Sequence, residues 1–117
     1  MPTRVLCSGS RDWSNKGLVR KYLSALPRDS IIIHGAARGL DTISGEIADE
    51  LGLSKEDYPA DWDKFGHRAG PIRNREMLDK DIDLLIAFKS KPNSKGTNDC
   101  ILEAKKRDIP TIIVEGY

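Results

Sequence analysis

Glycine stands close to arginine or to a small polar residue at four places in the sequence. These places are residues 9–11 (GSR), 34–42 (HGAARGLDT), 70–75 (GPIRNR) and 96–97 (GT). Glycine lets a ligand approach the backbone closely, and arginine offers a planar set of N–H donors that fits a phosphate. The pattern indicates a site for a nucleotide or another phosphate-bearing small ligand.

The segment HGAARGLDT places two glycines, Gly35 and Gly39, around a short turn that opens a predicted helix. N–H groups in the first turn of a helix have no internal partners and favour an anion, and Arg38 adds a positive charge nearby. Asp41 or Thr42 is expected to cap this helix. The segment matches neither GxxxxGK[ST] nor GxGxxG, so no nucleotide-binding motif of those two types is present.

Arginine 73 is the least ordinary feature of the sequence. Pro71 is typical of a first helical turn, and it places Arg73 and Asn74 in that turn, where the helix dipole disfavours a cation. An anionic ligand would explain an arginine at this position. The alternative is a surface arginine paired with Asp61 or Asp63.

Two tryptophans follow predicted strands, and each has two interpretations. Trp13 and Trp62 either stack on the base of a ligand or pack against the protein. Gly96 and Thr97 begin the last predicted helix and form a second cradle for a phosphate. Lysines at positions 89, 91 and 95 either contact the ligand or lie in solvent.

Several classes of function lack their sequence signals. His34 and His67 stand in no HExxH or cysteine-rich pattern, so no metal site is predicted. GxSxG is absent, and no Ser-His-Asp arrangement is legible. The net charge of +1 gives no overall attraction to nucleic acid or to a membrane surface.

The cysteines and the distribution of apolar residues indicate the cellular compartment of the protein. The two isolated cysteines, Cys7 and Cys100, suit a reduced cytosol, and the alternative is a disulfide between them. No long apolar run and no basic-then-apolar leader occurs, so neither a membrane span nor a signal peptide is predicted. We expect a cytoplasmic protein.

Short apolar runs alternate with amphipathic stretches, and this alternation predicts an α/β protein. Strands are predicted at residues 4–8, 30–35, 55–58, 83–88 and 111–115, and helices at residues 15–26, 40–51, 71–79 and 97–107, with a loop at residues 61–70. Strands that alternate with helices pair in parallel through right-handed crossovers. We therefore expect one domain of 117 residues with about five parallel strands and helices on both faces. Ligands of such sheets bind outside the carboxyl ends of the strands, where the four loops lie.

Four segments, SGSRDW, HGAARGLDT, PADWDKFGHRAGPIRNREML and GTNDC, resemble the YspA/YpsA-related branch of the SLOG superfamily. The similarity covers nearly the whole chain, in order. It implies a Rossmann-like three-layer α/β sandwich with strand order 3-2-1-4-5. It also implies a nucleotide or nucleotide-derived ligand, such as a nucleoside phosphate or an NAD- or ADP-ribose-like molecule.

The expected ligand-binding residues come from the resemblance and from the loops together. The resemblance implies Gly9, Ser10, Arg11, Gly35, Arg38, Gly39, Asp41, Arg73, Asn74, Gly96 and Thr97. The loops add Trp13, Thr42, Asp61, Trp62 and Gly70.

A comparison with Lonely-Guy phosphoribohydrolases bears on whether this protein only binds its ligand or also cleaves it. Those relatives of the family carry a PGGxGTxxE motif and a catalytic arginine, and the matching stretch here is PNSKGTNDC at residues 92–100. The double glycine is missing, and Cys100 stands where the catalytic glutamate is expected. This favours a binding protein. The alternative is a nucleotide N-glycosidase in which Asp41, Asp61 or Asp99 is the general acid or base and Arg73 stabilises the leaving phosphate.

A second group of relatives suggests a third function. The DNA-processing protein A family binds single-stranded DNA and has an RNR motif that resembles residues 73–75. The near-neutral charge of this chain disfavours a nucleic-acid polymer as partner. The leading expectation is a domain that senses, carries or sequesters a small nucleotide, with no required cofactor and no membrane partner. The sequence leaves open whether it forms a homo-oligomer, and its compactness suits a phage or mobile-element protein.

Overall fold

Five strands form a parallel sheet in the computed structural model, which describes residues 2–116. The strands are β1 (Arg4–Gly9), β2 (Ile31–His34), β3 (Ser54–Asp57), β4 (Leu84–Lys89) and β5 (Thr111–Glu115). Their order is β3-β2-β1-β4-β5, and every neighbouring pair is parallel. The predicted fold class and strand order are confirmed.

Helices cover both faces of the sheet. They are α1 (Lys16–Ser24), α2 (Leu40–Leu51), α3 (Trp62–Phe65), α4 (Ala69–Leu78) and α5 (Lys95–Lys106), with a 3-10 turn at Gly66–Arg68. None of them, within residues 2–116, is long and apolar enough to cross a membrane.

Successive residues of the central strands face opposite cores. Val5 and Cys7 of β1 pack in the core under α1 and α2, whereas Leu6 packs in the core under α4 and α5. Ile32 and Ile33 of β2 divide in the same way, and all five side chains are fully buried. A strand covered on both faces needs apolar residues at every position, which explains the continuous apolar runs of the sequence.

The segment between β3 and α4 is more ordered than predicted. Residues 61–70 were expected to be a loop, but they contain α3, the 3-10 turn and the first two residues of α4. The carboxylate of Asp61 accepts a hydrogen bond from the N–H of Lys64 at 3.1 Å and so caps α3. A short helix with exposed side chains has no apolar periodicity, and for this reason the sequence pattern missed it.

Two helices begin two residues earlier than predicted. α4 begins at Ala69, so Pro71 is its third residue and Arg73 its fifth, in the second turn rather than the first. Proline is tolerated there because the N–H groups of a first turn have no helical partner. α5 begins at Lys95, and the N–H of Asn98 donates to the carbonyl of Ser94 at 2.8 Å.

Candidate functional site

A cavity of about 610 Å³ opens at the carboxyl ends of β1 and β4. Its wall is built from the loop after β1, the start of α2, one side of α3 and α4, and the first turn of α5. The sequence-predicted residues that line it are Gly9, Ser10, Arg11, Asp41, Trp62, Gly70, Arg73, Asn74, Gly96, Thr97 and Asp99. Each of the four predicted loops therefore contributes to one cavity.

Arg73 is held in the cavity wall by neutral groups. Its Nη1 donates to the carbonyl oxygen of Gly35 at 2.7 Å, and its Nε donates to Oδ1 of Asn74 at 3.3 Å. A Cβ at Gly35 would lie 2.3 Å from Nη1, so a larger residue would displace the guanidinium. Gly35 does not line the cavity itself, but it fixes the arginine that does. Neither Asp61 nor Asp63 is a partner of Arg73 among the ion pairs and hydrogen bonds of residues 2–116.

Asn74 joins α4 to the start of α5. Its side chain is buried, and its Nδ2 lies 3.3 Å from the carbonyl oxygen of Gly96 and 3.2 Å from a carboxylate oxygen of Asp99. These hydrogen bonds fix the first turn of α5 relative to Arg73. The asparagine thus positions two parts of the cavity wall.

Asp41 is a buried carboxyl group that lines the cavity, with 7% of its surface exposed. Burial raises its pKa from 3.8 to about 6, although the positive charges of Arg73 and Arg11 and hydrogen bonds from backbone N–H groups oppose the shift. One of those N–H groups is that of Ala37, 3.3 Å from Oδ2. A carboxyl group with this pKa can both accept and release a proton close to neutral pH.

The first turn of α5 offers N–H groups to the cavity. Lys95, Gly96 and Thr97 all line it, and N–H groups at these helix positions have no intrahelical partner. The hydroxyls of Ser10 and Ser94, 2.9 Å apart, lie beside this turn. This part of the wall is the best suited to a phosphate, because it combines the positive end of the helix dipole with N–H donors, two hydroxyls and a lysine.

The start of α2 is covered by the loop after β1, so it is not open to a ligand in the way that the start of α5 is. The N–H of Leu40 donates to the carbonyl of Ser10 at 3.2 Å. Gly39 has φ +74°, and a Cβ there would lie 2.2 Å from the carbonyl oxygen of Arg11, so the loop after β1 packs directly on this helix start. Arg38, Gly39 and Thr42 lie outside the main cavity, along a separate shallow depression. The hydroxyl of Thr42 donates to the carbonyl of Ala37 at 2.9 Å.

The two tryptophans have different environments. Trp13 is buried against Phe88, with ring centroids 5.4 Å apart, and its Nε1 donates to the carbonyl of Asn15 at 3.1 Å. It belongs to the core and to the shallow depression. Trp62 is 48% exposed and lines the cavity, with the guanidinium of Arg11 5.4 Å from its ring centroid.

The remaining candidate acids differ in position. Asp61 caps α3 and does not line the cavity, whereas Asp99 lines it beside Asn74. Cys100, which stands at the position expected for a glutamate, is fully buried, and burial raises the pKa of its thiol to about 12. This thiol stays protonated near neutral pH and packs as a small apolar side chain of α5 in the core between α4, α5 and the sheet.

Some lining residues were not singled out from the sequence: Ser8, Asp12, Ala37, His67, Met77 and Ser94. Helical spacing would have found Met77, because it lies four residues after Arg73 and so on the same face of α4. No sequence pattern marks His67, which lies in the 3-10 turn. In the described part of the chain, no three His, Cys, Asp or Glu side chains come together to hold a metal ion.

The parallel sheet, the helices on both faces and the cavity at the strand ends define a Rossmann-like domain. A family model described as the YspA, cpYpsA-related SLOG family matches residues 3–65, and the chain belongs to this family. The matched residues run from just before β1 to the end of α3. They include the cavity residues of β1, α2 and α3, whereas α4 and α5 lie beyond the match.

One sequence relative and one solved structure of similar fold extend the comparison over the rest of the chain. The Gene 61 protein of Mycobacterium phage D29 is 36% identical over an alignment of 118 positions, and the match covers 93% of this chain and 94% of that protein. This phage relative fits the expectation of a phage protein. The X-ray structure of DNA processing protein A (DprA) from Streptococcus pneumoniae has a TM-score of 0.62 at 16% identity. The superposition covers 98% of this chain and 59% of that one, and it shows a shared fold.

Proposed function

We propose that the cavity binds a small nucleotide or nucleotide-derived ligand and that the protein senses, carries or sequesters it. The observation that carries this proposal is the position of Arg73. Its guanidinium lies in the cavity wall on two neutral acceptors, and it takes part in no ion pair among residues 2–116. A half-buried cation without a paired carboxylate is well suited to an anionic ligand.

The other walls of the cavity fit the rest of such a molecule. The first turn of α5 and Lys95 provide donors for a phosphate, and the exposed ring of Trp62 provides a surface for a base. The volume of about 610 Å³ falls in the usual range of small-molecule sites, roughly 300–1,000 Å³. Membership of the SLOG family and the DprA-like fold support a nucleotide-related domain.

The experiment uses AMP, ADP-ribose and NAD as probes and measures binding by isothermal titration calorimetry. We expect Trp62→Ala to weaken binding of the probe by about 5-fold to 150-fold, since stacking of a base on an aromatic ring contributes about 1–3 kcal/mol. The matched control is Phe65→Ala, which removes an exposed aromatic of the same helix that does not line the cavity. We expect Arg73→Ala to abolish ligand-induced thermal stabilisation. Equal binding by wild type, Trp62→Ala and Arg73→Ala would overturn the site assignment.

Hydrolysis of the N-glycosidic bond is the second candidate function, and the raised pKa of Asp41 favours it. In this reaction the Asp41 carboxylate takes a proton from a water molecule, whose oxygen bonds to the anomeric carbon of the ribose. The carbon–nitrogen bond breaks, and the proton passes to the departing base. Chromatography of each probe after incubation with the protein tests this step. Release of base by wild type and not by Asp41→Asn supports hydrolysis. If wild type releases no base, hydrolysis is refuted, and ligand binding without cleavage is the remaining function.

Binding of a single nucleic-acid strand is the less favoured alternative. The net charge of +1 offers little attraction to a polyanion. Fluorescence anisotropy with a labelled oligonucleotide at low salt tests it. Tight binding that weakens steeply with added salt would favour the strand over the small ligand.

A further inference from the structure

His34 is a buried histidine at the end of β2, three residues before Ala37, which lines the cavity; His34 itself is not part of the lining. Its Nδ1 accepts a hydrogen bond from the N–H of Ala36 at 3.1 Å. An accepting Nδ1 requires the neutral ring with its proton on Nε2. That Nε2 is buried and has no hydrogen-bond partner among the described residues, and it lies against Gly45 of α2.

The hydrogen bond holds a strained turn. Ala36 has φ +57°, in the left-handed region that residues other than glycine rarely adopt. Such a conformation persists only where neighbouring contacts enforce it. The side chain of His34 supplies one such contact, two residues away in the sequence.

The same turn carries the groups that position the cavity's charged side chains. The carbonyl of Gly35 accepts from Arg73, and the N–H of Ala37 donates to Asp41. Ala36 lies between these two residues. A change in its backbone conformation therefore moves groups that hold both Arg73 and Asp41.

Resting on the proposed function, we propose that His34 is a positioning residue whose neutral ring holds residues 35–37, so that its protonation displaces Arg73 and weakens nucleotide binding. Once both ring nitrogens carry protons, Nδ1 becomes a donor that faces the N–H of Ala36. The hydrogen bond is lost, and Ala36 is free to leave its strained conformation.

The charged groups around His34 come from two elements. Asp57 and Lys55 lie on β3, and Asp49 lies on α2, where Lys55 pairs with it at 2.7 Å. Burial lowers the pKa of His34 below its ordinary value of 6.5; Asp57 and Asp49 oppose the shift, and Lys55 adds to it. The folded state thus binds this proton less readily than the unfolded chain. The neutral ring is the main form at neutral pH, and the turn is released as the pH falls through the folded pKa.

The test compares wild type with two neutral variants. In His34→Asn the side-chain oxygen stands near the position of Nδ1, so it can accept from Ala36 without titrating. In His34→Gln the amide reaches the position of Nε2 instead. We expect the Kd of the nucleotide probe for wild type to rise by up to about tenfold per pH unit below the pKa of His34, relative to that for His34→Asn. We expect His34→Gln to bind weakly at every pH, whereas equal binding by both variants, or the same pH profile for wild type and His34→Asn, would overturn the proposal.

Asp41, whose pKa is about 6, also titrates below neutral pH, but its effect has the opposite sign. Its protonation removes a negative charge from the cavity and so favours an anionic ligand. Because His34→Asn retains Asp41, the difference between the two pH profiles isolates His34.

A second measurement separates this proposal from the proposed function. In the ligand-free protein, the amide signal of Ala36 and the Nε–H signal of Arg73 are followed by NMR across the same pH range. Joint movement of both signals in wild type, absent in His34→Asn, supports the positioning role even if no probe binds. Signals that stay in place as the imidazole of His34 titrates would refute it.

Discussion

Replacement of Asp41 by asparagine should stabilise the protein near neutral pH. Burial raises the pKa of Asp41 from 3.8 to about 6, so the folded protein holds a proton that the unfolded chain releases between these two values. A shift of about two units corresponds to roughly 3 kcal/mol, since each unit is worth about 1.4 kcal/mol. Stability therefore falls as the pH rises from 3.8 to about 6, and the full penalty is present above pH 6.

Asparagine removes this penalty and keeps an oxygen that accepts from the N–H of Ala37. We expect Asp41→Asn to raise the free energy of unfolding by up to about 3 kcal/mol at neutral pH. The gain should vanish near pH 3.8, where the carboxyl of wild type is itself protonated. Urea denaturation followed by circular dichroism at both pH values measures the difference.

The control is Asp63→Asn, which neutralises an exposed carboxylate outside the cavity and should change stability by less than about 0.5 kcal/mol. If Asp41→Asn is no more stable than wild type at neutral pH, Asp41 is not a strained buried acid. The physical basis of its proposed role in the cavity would then be lost. A gain in stability with loss of base release would be the usual exchange between stability and function.

Two further predictions concern the packing of the loop after β1 on α2 and the burial of the two cysteines. Gly39→Ala should cost more than about 2 kcal/mol in urea denaturation, because its Cβ would meet the carbonyl of Arg11, whereas Gly52→Ala, also at positive φ but with open space, should cost only about 1 kcal/mol. Similar costs for both would show that the contact with the loop after β1 is unimportant. Cys7 and Cys100 are fully buried with thiol pKa values of about 12, so iodoacetamide should modify them only when the fold opens. Modification of the native protein as fast as of the urea-unfolded chain would contradict their placement in the core.

The fold could be predicted because its pattern is local. Ile31, Ile32 and Ile33 form a continuous apolar run, which is typical of a strand covered on both faces, and Gly52 ends α2 with φ +72°. Alternation of such runs with amphipathic helices leaves few topologies. The exposed helix α3 gives no such pattern and was missed.

The assignment of residues to the cavity could be predicted only in part. Trp13 and Trp62 look alike in the sequence, yet one packs on Phe88 and the other is half exposed in the cavity. Likewise, a glycine stands at the start of both α2 and α5: Gly39 directly precedes α2, and Gly96 is the second residue of α5. At the start of α2, the N–H of Leu40 donates to the carbonyl of Ser10 in the loop after β1, whereas the start of α5 lines the cavity. These differences arise from contacts between distant segments, which no local pattern records.

A titration of the isotopically labelled protein with AMP, ADP-ribose or NAD, followed by NMR, tests the central claim most directly. The account predicts that the amide signals of Lys95, Gly96 and Thr97, the indole N–H of Trp62 and the Nε–H of Arg73 move together and saturate at one ligand per chain. Signals that stay unmoved with every probe, or that move only around Trp13 and the shallow depression, would contradict it.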